Sequence, residues 1–218
     1  MSLKLRYDVF GAEALGDATF VGKYEFPEIK GVSLDAIPQR VVPFDRIGSD
    51  LKPGDWLHGY VHDRRFYRIL ERREVYLSRL KDVAGFIGMD NSMYRDLPLA
   101  EQIHSCYLNR AVDRYLQLNG KIVVPNVSWG DWRTWEFCFD GVPRNSTIAM
   151  STYGCCRASA DKFRFEEGFS RAVKTLCPHS VVIHGALWPS LNGLAAANGV
   201  SLLRIDAWRS AKSGKEVR

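Results

Sequence analysis

Acidic side chains follow several apolar runs of the chain, at positions where strands are predicted to end. Asp63, Asp90 and Asp131 come after three different runs. Carboxylates that meet from separate strands can act as general acid and base, or supply oxygen ligands for a divalent cation. We predict Asp90 and Asp131 as catalytic residues, with a divalent cation as the candidate cofactor. The structural alternatives are a turn role for Asp90 and helix capping for Asp131.

A histidine ends another apolar run. His184 follows Val181, Val182 and Ile183 and precedes a glycine. An imidazole at a strand end can exchange a proton near neutral pH, so we predict His184 as a third catalytic residue. The alternative is a histidine whose role is purely structural. The spacing of the chain's histidines matches no zinc-binding motif, so the metal ligands, if any, stay unassigned.

Further polar and aromatic side chains cluster at the same strand ends and could bind a substrate. An indole such as that of Trp129 can stack on a base or sugar ring, and a guanidinium such as that of Arg95 can pair with an anionic group. The predicted substrate-binding residues are Asp63, Ser92, Tyr94, Arg95, Ser128, Trp129, Ser151 and Thr152. Two further tryptophans, Trp132 and Trp135, are predicted to lie on the core face of a short helix.

The five cysteines form an odd set without a CxxC pair. This pattern favours neither a disulfide framework nor a ribbon-type zinc site, and we expect mostly buried thiols. Cys155 is the exception, because it follows a glycine just beyond a strand end, where an exposed thiolate could be activated. The chain also lacks the glycine-rich and serine-centred motifs typical of dinucleotide, P-loop and serine-hydrolase sites.

Short β-rich runs that alternate with helical patterns predict the elements that would position these residues. Strands separated by helix-length connections favour parallel pairing. The predicted strands are 56–61, 83–89, 121–127, 146–152, 180–184 and 201–205. One helix is predicted to be capped by Asp96, to have Pro98 in its first turn and to stop at Asn119-Gly120. A second helix is predicted to begin near Ser159 and to end at Cys177-Pro178.

These elements predict one α/β domain over residues 1–210, with about six βα units in a mainly parallel sheet. We favour a barrel-like arrangement, an incomplete TIM-type barrel, because polar residues recur where nearly every strand ends. An open doubly wound sheet is the alternative, since both folds use the same local unit. Prolines and glycines predict an irregular segment over residues 1–55, and residues 211–218 are predicted to form a flexible tail.

Composition is ordinary for a globular protein. Hydrophobic residues make up 46% and charged residues 25% of the chain, and the net charge is +5. No apolar run is long enough to span a bilayer and no signal sequence is visible, so we expect a cytoplasmic protein without a membrane partner. The densest basic stretch, from Arg64 to Arg73, is either a solvated helix face or a contact for nucleic acid.

Four motifs together resemble a known family. They are GMDNSMYRDLPLA at 88–100, VPNVSWGD at 124–131, FCFDGVP at 137–143 and Ser151-Thr152. In this order and spacing they resemble domain of unknown function 4417, a family of bacterial, plasmid and phage proteins, from about Tyr24 to His184. The resemblance implies an association with mobile genetic elements and hence a role in nucleic-acid or phage–host biology.

The chain departs from the family pattern at two points. The resemblance implies an acidic pair after the first long strand, where this chain has His62-Asp63. Relatives often end the strand before His184 near a tyrosine and a glycine. The first departure weighs against a two-carboxylate scheme at that strand. The second weighs against a catalytic role for His184.

Two functions from different classes fit these observations. One is an enzyme that acts on a nucleotide or nucleic-acid component through a carboxylate-lined pocket at the strand ends. The other is a non-catalytic phage or plasmid protein that binds nucleic acid or a host protein, an inhibitory or accessory role in which the strand-end residues only cap and brace the fold.

Overall fold

The computed structural model describes residues 12–48, 51–66 and 68–206. The strands are β1 Phe20–Val21, β2 Phe26–Pro27, β3 Val41–Pro43, β4 Trp56–Gly59, β5 Gly85–Met89, β6 Ile122–Val124, β7 Thr147–Ser151, β8 Ser180–His184 and β9 Ser201–Ile205. The α-helices are α1 Asp63–Phe66, α2 Arg68–Glu71, α3 Arg73–Arg79, α4 Leu99–Leu118, α5 Ser159–Leu176 and α6 Pro189–Ala197. Short 3-10 helices cover Ala12–Leu15, Phe44–Arg46 and Trp132–Glu136.

Seven of these strands are parallel and follow one another in chain order. They form a four-stranded sheet, β3-β4-β5-β6, and a three-stranded sheet, β7-β8-β9. A parallel bridge between Asn126 and Ala149 joins the loop after β6 to β7. The predicted α/β class with a mainly parallel sheet is confirmed. Within the described ranges β3 and β9 do not pair, so the strands form no closed barrel and the α/β arrangement is open.

A shared interior shows that the two sheets curve together. Six strands, β4 to β9, each contribute one residue to a single apolar cluster: Trp56, Ile87, Val124, Ala149, Val182 and Ile205. Residues that alternate along a strand face opposite sides, so the other face of each strand packs outward. The outward side chains form two further cores, one beneath α4 and one beneath α5 and α6.

The N-terminal segment covers the amino ends of β7 and β8. The backbone N–H of Leu34 donates to the Thr147 hydroxyl at 2.8 Å, and the Ser180 hydroxyl donates to the Leu34 carbonyl at 3.0 Å. Thr147 and Ser180 are the first residues of their strands. This end of the curled sheet is therefore occupied by the chain itself, whereas the carboxyl ends of the strands remain accessible.

Most predicted elements are present, with four corrections. All six predicted strands form, and the helix predicted from Ser159 begins there and stops before Pro178. The N-terminal segment is not wholly irregular, because it supplies β3 as a seventh parallel strand. Asp96 is not a helix cap: α4 begins after Pro98, and no side chain caps it. Trp132 does not face the core, since 78% of it is exposed. The basic stretch forms three short helices, α1 to α3, rather than one.

None of the helices in the described part of the chain has the length and hydropathy needed to cross a lipid bilayer. The predicted tail at 211–218 lies outside the described residues. The prediction of a single domain over 1–210 stays a prediction.

Two glycines within helices make a matched pair for testing the packing of α5 against the strand-end loops. A Cβ at Gly168 in α5 would clash with the indole of Trp129, whereas a Cβ at Gly193 in α6 would meet nothing within 4 Å. Alanine favours a helix over glycine by about 1 kcal/mol. We expect Gly193→Ala to raise the free energy of unfolding by up to that amount.

Gly168→Ala should instead lower the free energy of unfolding by roughly 1–3 kcal/mol, because the clash with the indole outweighs the helix preference. Urea denaturation of both variants measures the difference. Equal stabilisation by the two substitutions would show that Trp129 moves aside freely and that the contact does not fix its ring.

Candidate functional site

A pocket of about 470 Å³ opens at the carboxyl ends of β5, β6 and β7. It lies opposite the end that the N-terminal segment covers. In parallel α/β folds, sites form at this end, where loops hold polar groups at the rim of a rigid sheet. Seven of the predicted site residues line it: Asp90, Ser92, Tyr94, Arg95, Ser128, Trp129 and Ser151.

Asp90 provides the carboxylate of this pocket. It directly follows β5, and its Oδ1 accepts a hydrogen bond from Nδ2 of Asn126 at 2.8 Å. Burial raises the pKa of Asp90 to about 6, and the negative charge of Asp63 adds to the rise, while hydrogen bonds from Asn126 and Ser128 oppose it. A carboxyl group with this pKa exchanges its proton near neutral pH, which suits general acid–base chemistry.

Asp63 lies behind the pocket. Its carboxylate accepts hydrogen bonds from the Ser92 hydroxyl at 3.0 Å and from the Ser92 backbone N–H at 3.3 Å. It is the first residue of α1 and does not line the pocket itself. Asp63 therefore holds the loop after β5 and places a negative charge near Asp90, and its predicted contact with substrate stays a prediction.

A stack of rings fills the interior beneath Asp90. The ring of His184 lies parallel to that of Tyr60, with centroids 4.7 Å apart, and 4.9 Å from the ring of His58. Nδ1 of His184 is 3.1 Å from the Ser151 hydroxyl. The Tyr60 hydroxyl donates to Oδ1 of Asn126 at 3.0 Å, so a hydrogen-bonded path runs from Tyr60 through Asn126 to Asp90.

Both buried imidazoles are neutral near pH 7. Burial lowers the pKa of His58 to about 3, with a further contribution from His184, and lowers that of His184 to about 4. His184 is 2% exposed and does not line the pocket. The structure places His184 beside Ser151, behind the residues that line the pocket, and its predicted catalytic role stays a prediction.

Aromatic side chains form the walls and mouth of the pocket. Trp129 packs on Phe165 of α5, with ring centroids 5.5 Å apart. Tyr94 and Tyr153 are 59% and 60% exposed at the rim. Flat apolar faces beside polar groups suit the binding of a ring-bearing ligand.

Two arginines give the pocket its positive charge. Arg95 and Arg164 both line it and are exposed. Nη1 of Arg164 lies 3.3 Å from Oδ1 of Asp161, which also lines the pocket. A guanidinium in such a position can pair with a phosphate or carboxylate.

The remaining predicted residues have structural contacts. Asp131 caps the 3-10 helix Trp132–Glu136 by accepting a hydrogen bond from the backbone N–H of Arg133. Hydrogen bonds from the Arg133 guanidinium lower the pKa of Asp131, and its side chain does not line the pocket. The hydroxyl of Thr152 is buried and donates to the Ala186 carbonyl at 2.9 Å, which joins the turns after β7 and β8.

Sequence reasoning did not assign several residues that complete the site. Asn126 and Tyr60 fix Asp90, and Cys156, Asp161, Arg164 and Phe165 line the pocket. A signal for Asn126 existed, because it lies two residues after the apolar run of β6 and within the motif at 124–131. Arg164 and Phe165 gave no signal, since their approach depends on how α5 packs across the strand ends.

The carboxylates do not converge into a metal-binding group. Within residues 12–48, 51–66 and 68–206, no three His, Cys, Asp or Glu side chains are arranged to hold a metal ion. A divalent cation as cofactor stays a prediction.

The raised pKa of Asp90 predicts a stabilising substitution. At pH 8 the carboxyl group is ionised in both the folded and unfolded states, so its raised pKa means that the ionised form weakens the fold. Asp90→Asn should raise the free energy of unfolding at pH 8 by about 1–2 kcal/mol, a figure reduced from the full shift for partial solvent access. The amide keeps an oxygen to accept from Asn126.

The stabilisation by Asp90→Asn should depend on pH. As pH falls through 6 the folded wild-type protein takes up a proton at Asp90, and the advantage of the asparagine variant should vanish near pH 4. Urea denaturation at several pH values measures it, with the exposed Asp82→Asn as a control. A constant difference between variant and wild type across this range would contradict the raised pKa.

The neutral histidines predict that the free energy of unfolding falls in acid. Their folded pKa values lie below the ordinary 6.5, so the stability they contribute is present above pH 6.5 and is lost as pH falls towards 4 and 3. Between pH 7 and pH 5 each should contribute a loss of about 2 kcal/mol. His58→Gln should therefore lose about 2 kcal/mol less than wild type over this interval.

The exposed His104 of α4 supplies the control. His104→Gln should follow the wild-type curve of unfolding free energy against pH. If His58→Gln also follows it, the buried imidazole is not the group that resists protonation.

Comparison with known proteins identifies related sequences. The model of the family described as Domain of unknown function (DUF4417) matches residues 18–194. The Gene 1 protein of Mycobacterium phage L5 is 32% identical over 167 residues, which cover 75% of this chain and 72% of the phage protein. The Gene 1 protein of Mycobacterium phage D29 is 31% identical over 134 residues, which cover 62% of this chain and 50% of the phage protein.

No solved structure matches the chain. The family model spans every strand from β1 to β8 and all the residues that line the pocket. The chain therefore belongs to the family of Domain of unknown function (DUF4417), which has phage-encoded members.

Proposed function

We propose that this protein is an enzyme that binds a nucleotide, or one nucleotide unit of a nucleic acid, in the strand-end pocket and uses Asp90 as its proton donor and acceptor. The observation that carries the proposal is the position of Asp90. It is a carboxyl group with a pKa of about 6, held by Asn126, on the surface of a pocket at the carboxyl ends of parallel strands.

Asp90 is held in a fixed orientation, as a general acid or base must be. Asn126 donates to its Oδ1, Ser128 lies beside it, and Asn126 is itself fixed by the Tyr60 hydroxyl. Each of these groups lies on the rigid sheet or directly after it. A proton donor that keeps one orientation can meet a bound substrate without a costly rearrangement.

The walls suit a base or sugar ring and the rim suits an anion. The half-buried Trp129 and the exposed Tyr94 and Tyr153 offer ring faces for stacking. Arg95 and Arg164 offer two guanidinium groups for a phosphate. Stacking of a base on an aromatic side chain contributes about 1–3 kcal/mol, and arginine pairs well with phosphate, so the two features together favour a nucleotide.

Asp131 and His184 have positioning roles in this proposal. Asp131 shapes the loop that carries Trp129, through the helix that it caps. His184 supports Ser151 from behind the pocket wall. Neither side chain lines the pocket, so neither should contact the substrate.

A second candidate function rests on the surface of α1 to α3. Arg64, Arg65 and Arg72 are exposed there, close together in the chain. Such a surface could bind the phosphates of nucleic acid without any catalytic step. Its binding would weaken steeply with added salt and would not depend on the pocket.

One experiment separates the two functions. Thermal unfolding is followed in the presence of nucleoside monophosphates, single-stranded DNA and RNA oligomers, and inorganic phosphate. We expect a rise in Tm of several degrees with a nucleotide or oligomer, because a ligand of the folded state stabilises it. Trp129→Ala and Arg164→Gln should remove this rise.

The exposed Trp132 provides a matched control, since Trp132→Ala removes an indole of the neighbouring helix that does not line the pocket. For a ligand that is turned over, Asp90→Asn should keep binding and lose at least about 100-fold in rate. If the pocket variants bind as wild type does, while Arg64→Glu and Arg72→Glu abolish binding, the enzymatic proposal is wrong and the surface function replaces it.

A further inference from the structure

Two adjacent thiols lie in the loop after β7, on the wall of the same pocket as Asp90. Sγ of Cys155 is 3.6 Å from Sγ of Cys156, and it lies 3.3 Å from the carbonyl oxygen of Ser151, the last residue of β7. Gly154 before them has a φ of 84°, in the left-handed region that favours glycine, so the loop turns sharply there. The turn keeps Cys155 close to the end of the strand.

The cysteines of the described chain differ in their access to a ligand. Cys106 and Cys138 are buried in the core, and burial raises the pKa of both thiols. Cys177 is exposed, but it ends α5 away from the pocket, with its Sγ 3.7 Å from Arg144. Cys155 is exposed and also lines the pocket.

Its exposure and the neighbouring thiol together make Cys155 the better nucleophile of the pair, because Cys155 is exposed at the pocket whereas Cys156 is half-buried. A hydrogen bond from Cys156 lowers the pKa of Cys155, and burial and the charge of Asp90 oppose this. The same hydrogen bond raises the pKa of Cys156. A thiolate, rather than a thiol, attacks an electrophile, so Cys155 is the reactive member and Cys156 the supporting one.

We infer that Cys155 is a catalytic nucleophile of this pocket and that Asp90 is its acid–base partner. The inference rests on the proposed function. The substrate class that fits is one whose trigonal carbon bears a nitrogen leaving group, as in an amide or in the amidine-like carbon of a nucleobase. Such a carbon accepts a thiolate, and its leaving nitrogen needs a proton, which the protonated form of Asp90 can donate.

The reaction balances with water as the co-substrate. In the first step the sulfur–carbon bond forms, the carbon–nitrogen bond breaks, and the proton of Asp90 passes to the leaving amine or ammonia. In the second step water adds to the sulfur-bound carbon and gives a proton back to Asp90. The carbon–oxygen bond forms, the sulfur–carbon bond breaks and the thiolate is restored. The net change is hydrolysis of one carbon–nitrogen bond.

The first test measures the reactivity of each thiol in the intact protein. Alkylation by iodoacetamide at pH 7 is followed at each cysteine by peptide mass spectrometry. Cys155 should react at least about tenfold faster than the exposed Cys177, and Cys156→Ser should slow Cys155 alone. Asp90→Asn should speed Cys155 about two- to threefold without changing Cys177, because the negative charge near the thiolate is removed.

The second test uses an electrophilic probe that resembles the proposed substrate. A chloropurine nucleotide carries a ring carbon that loses chloride to a thiolate. A stable adduct should form at Cys155 and not at Cys177, and Trp129→Ala should reduce its rate. Equal labelling of Cys155 and Cys177 in either test, or no adduct with the nucleotide probe, would overturn the inference.

Failure of this inference is distinguishable from failure of the proposed function. If Cys155→Ala binds and turns over a ligand as wild type does, while Asp90→Asn has lost turnover, the acid–base role of Asp90 stands. The assignment of Cys155 as the nucleophile is then wrong. If Asp90→Asn retains full turnover, the proposed function itself is wrong. Cys177→Ser serves as the matched substitution in both comparisons.

Discussion

Arg110 places a charged guanidinium in the interior, where 1% of the residue is exposed. Its three nitrogens donate to the carbonyl oxygens of Asp140, Asn126 and Cys138, at 3.0, 2.9 and 2.9 Å. A buried charge is strongly destabilising unless hydrogen bonds replace its hydration, so these carbonyls must stay in place. One side chain of α4 thereby fixes both the loop after β6 and the turn at 137–142.

The candidate site depends on this arrangement. The backbone oxygen of Asn126 accepts from Arg110, and the side-chain amide of the same residue donates to Asp90 and accepts from Tyr60. On the same helix, Asn109 accepts from the backbone and side-chain nitrogens of Asn91, the residue that follows Asp90. The polar face of α4 thus holds the loops after β5 and β6, and the orientation of Asp90 follows from the packing of a helix.

Local patterns in the sequence predict the strands and the strand-end residues, but they do not predict the buried polar face of α4. The strands β4 to β9 and the bounds of α5 follow from apolar runs and from proline and glycine, which are local signals. Seven pocket residues follow from the rule that parallel strands converge at their carboxyl ends. Arg110 and Asn109 resemble surface residues of a helix, because no local pattern reports a partner that is distant in the chain.

The other differences between the sequence predictions and the structure also have physical origins. The strand β3 is only three residues long and ends in proline, so its pairing with β4 depends on a neighbour rather than on its own pattern. Asp131 has the contacts of a helix cap, through the nearby Arg133, and this is the structural alternative to its predicted catalytic role. Trp132 faces outward because a 3-10 helix of five residues presents only part of its surface to the core.

Two buried carboxyl groups weaken the fold when they are ionised, one within α4 and one in the pocket. Burial raises the pKa of Asp113 to about 7 and that of Asp90 to about 6, so both carboxyl groups weaken the fold when ionised. Asp113 has a structural contact, since it accepts from the backbone N–H of Met89 at 3.3 Å. Asp90 instead lies on a pocket wall, where an asparagine could accept the same hydrogen bond without a charge. A fold that needed only the hydrogen bond would be more stable with the amide, and proton exchange, the role that we propose for Asp90, is the property that the carboxyl group adds.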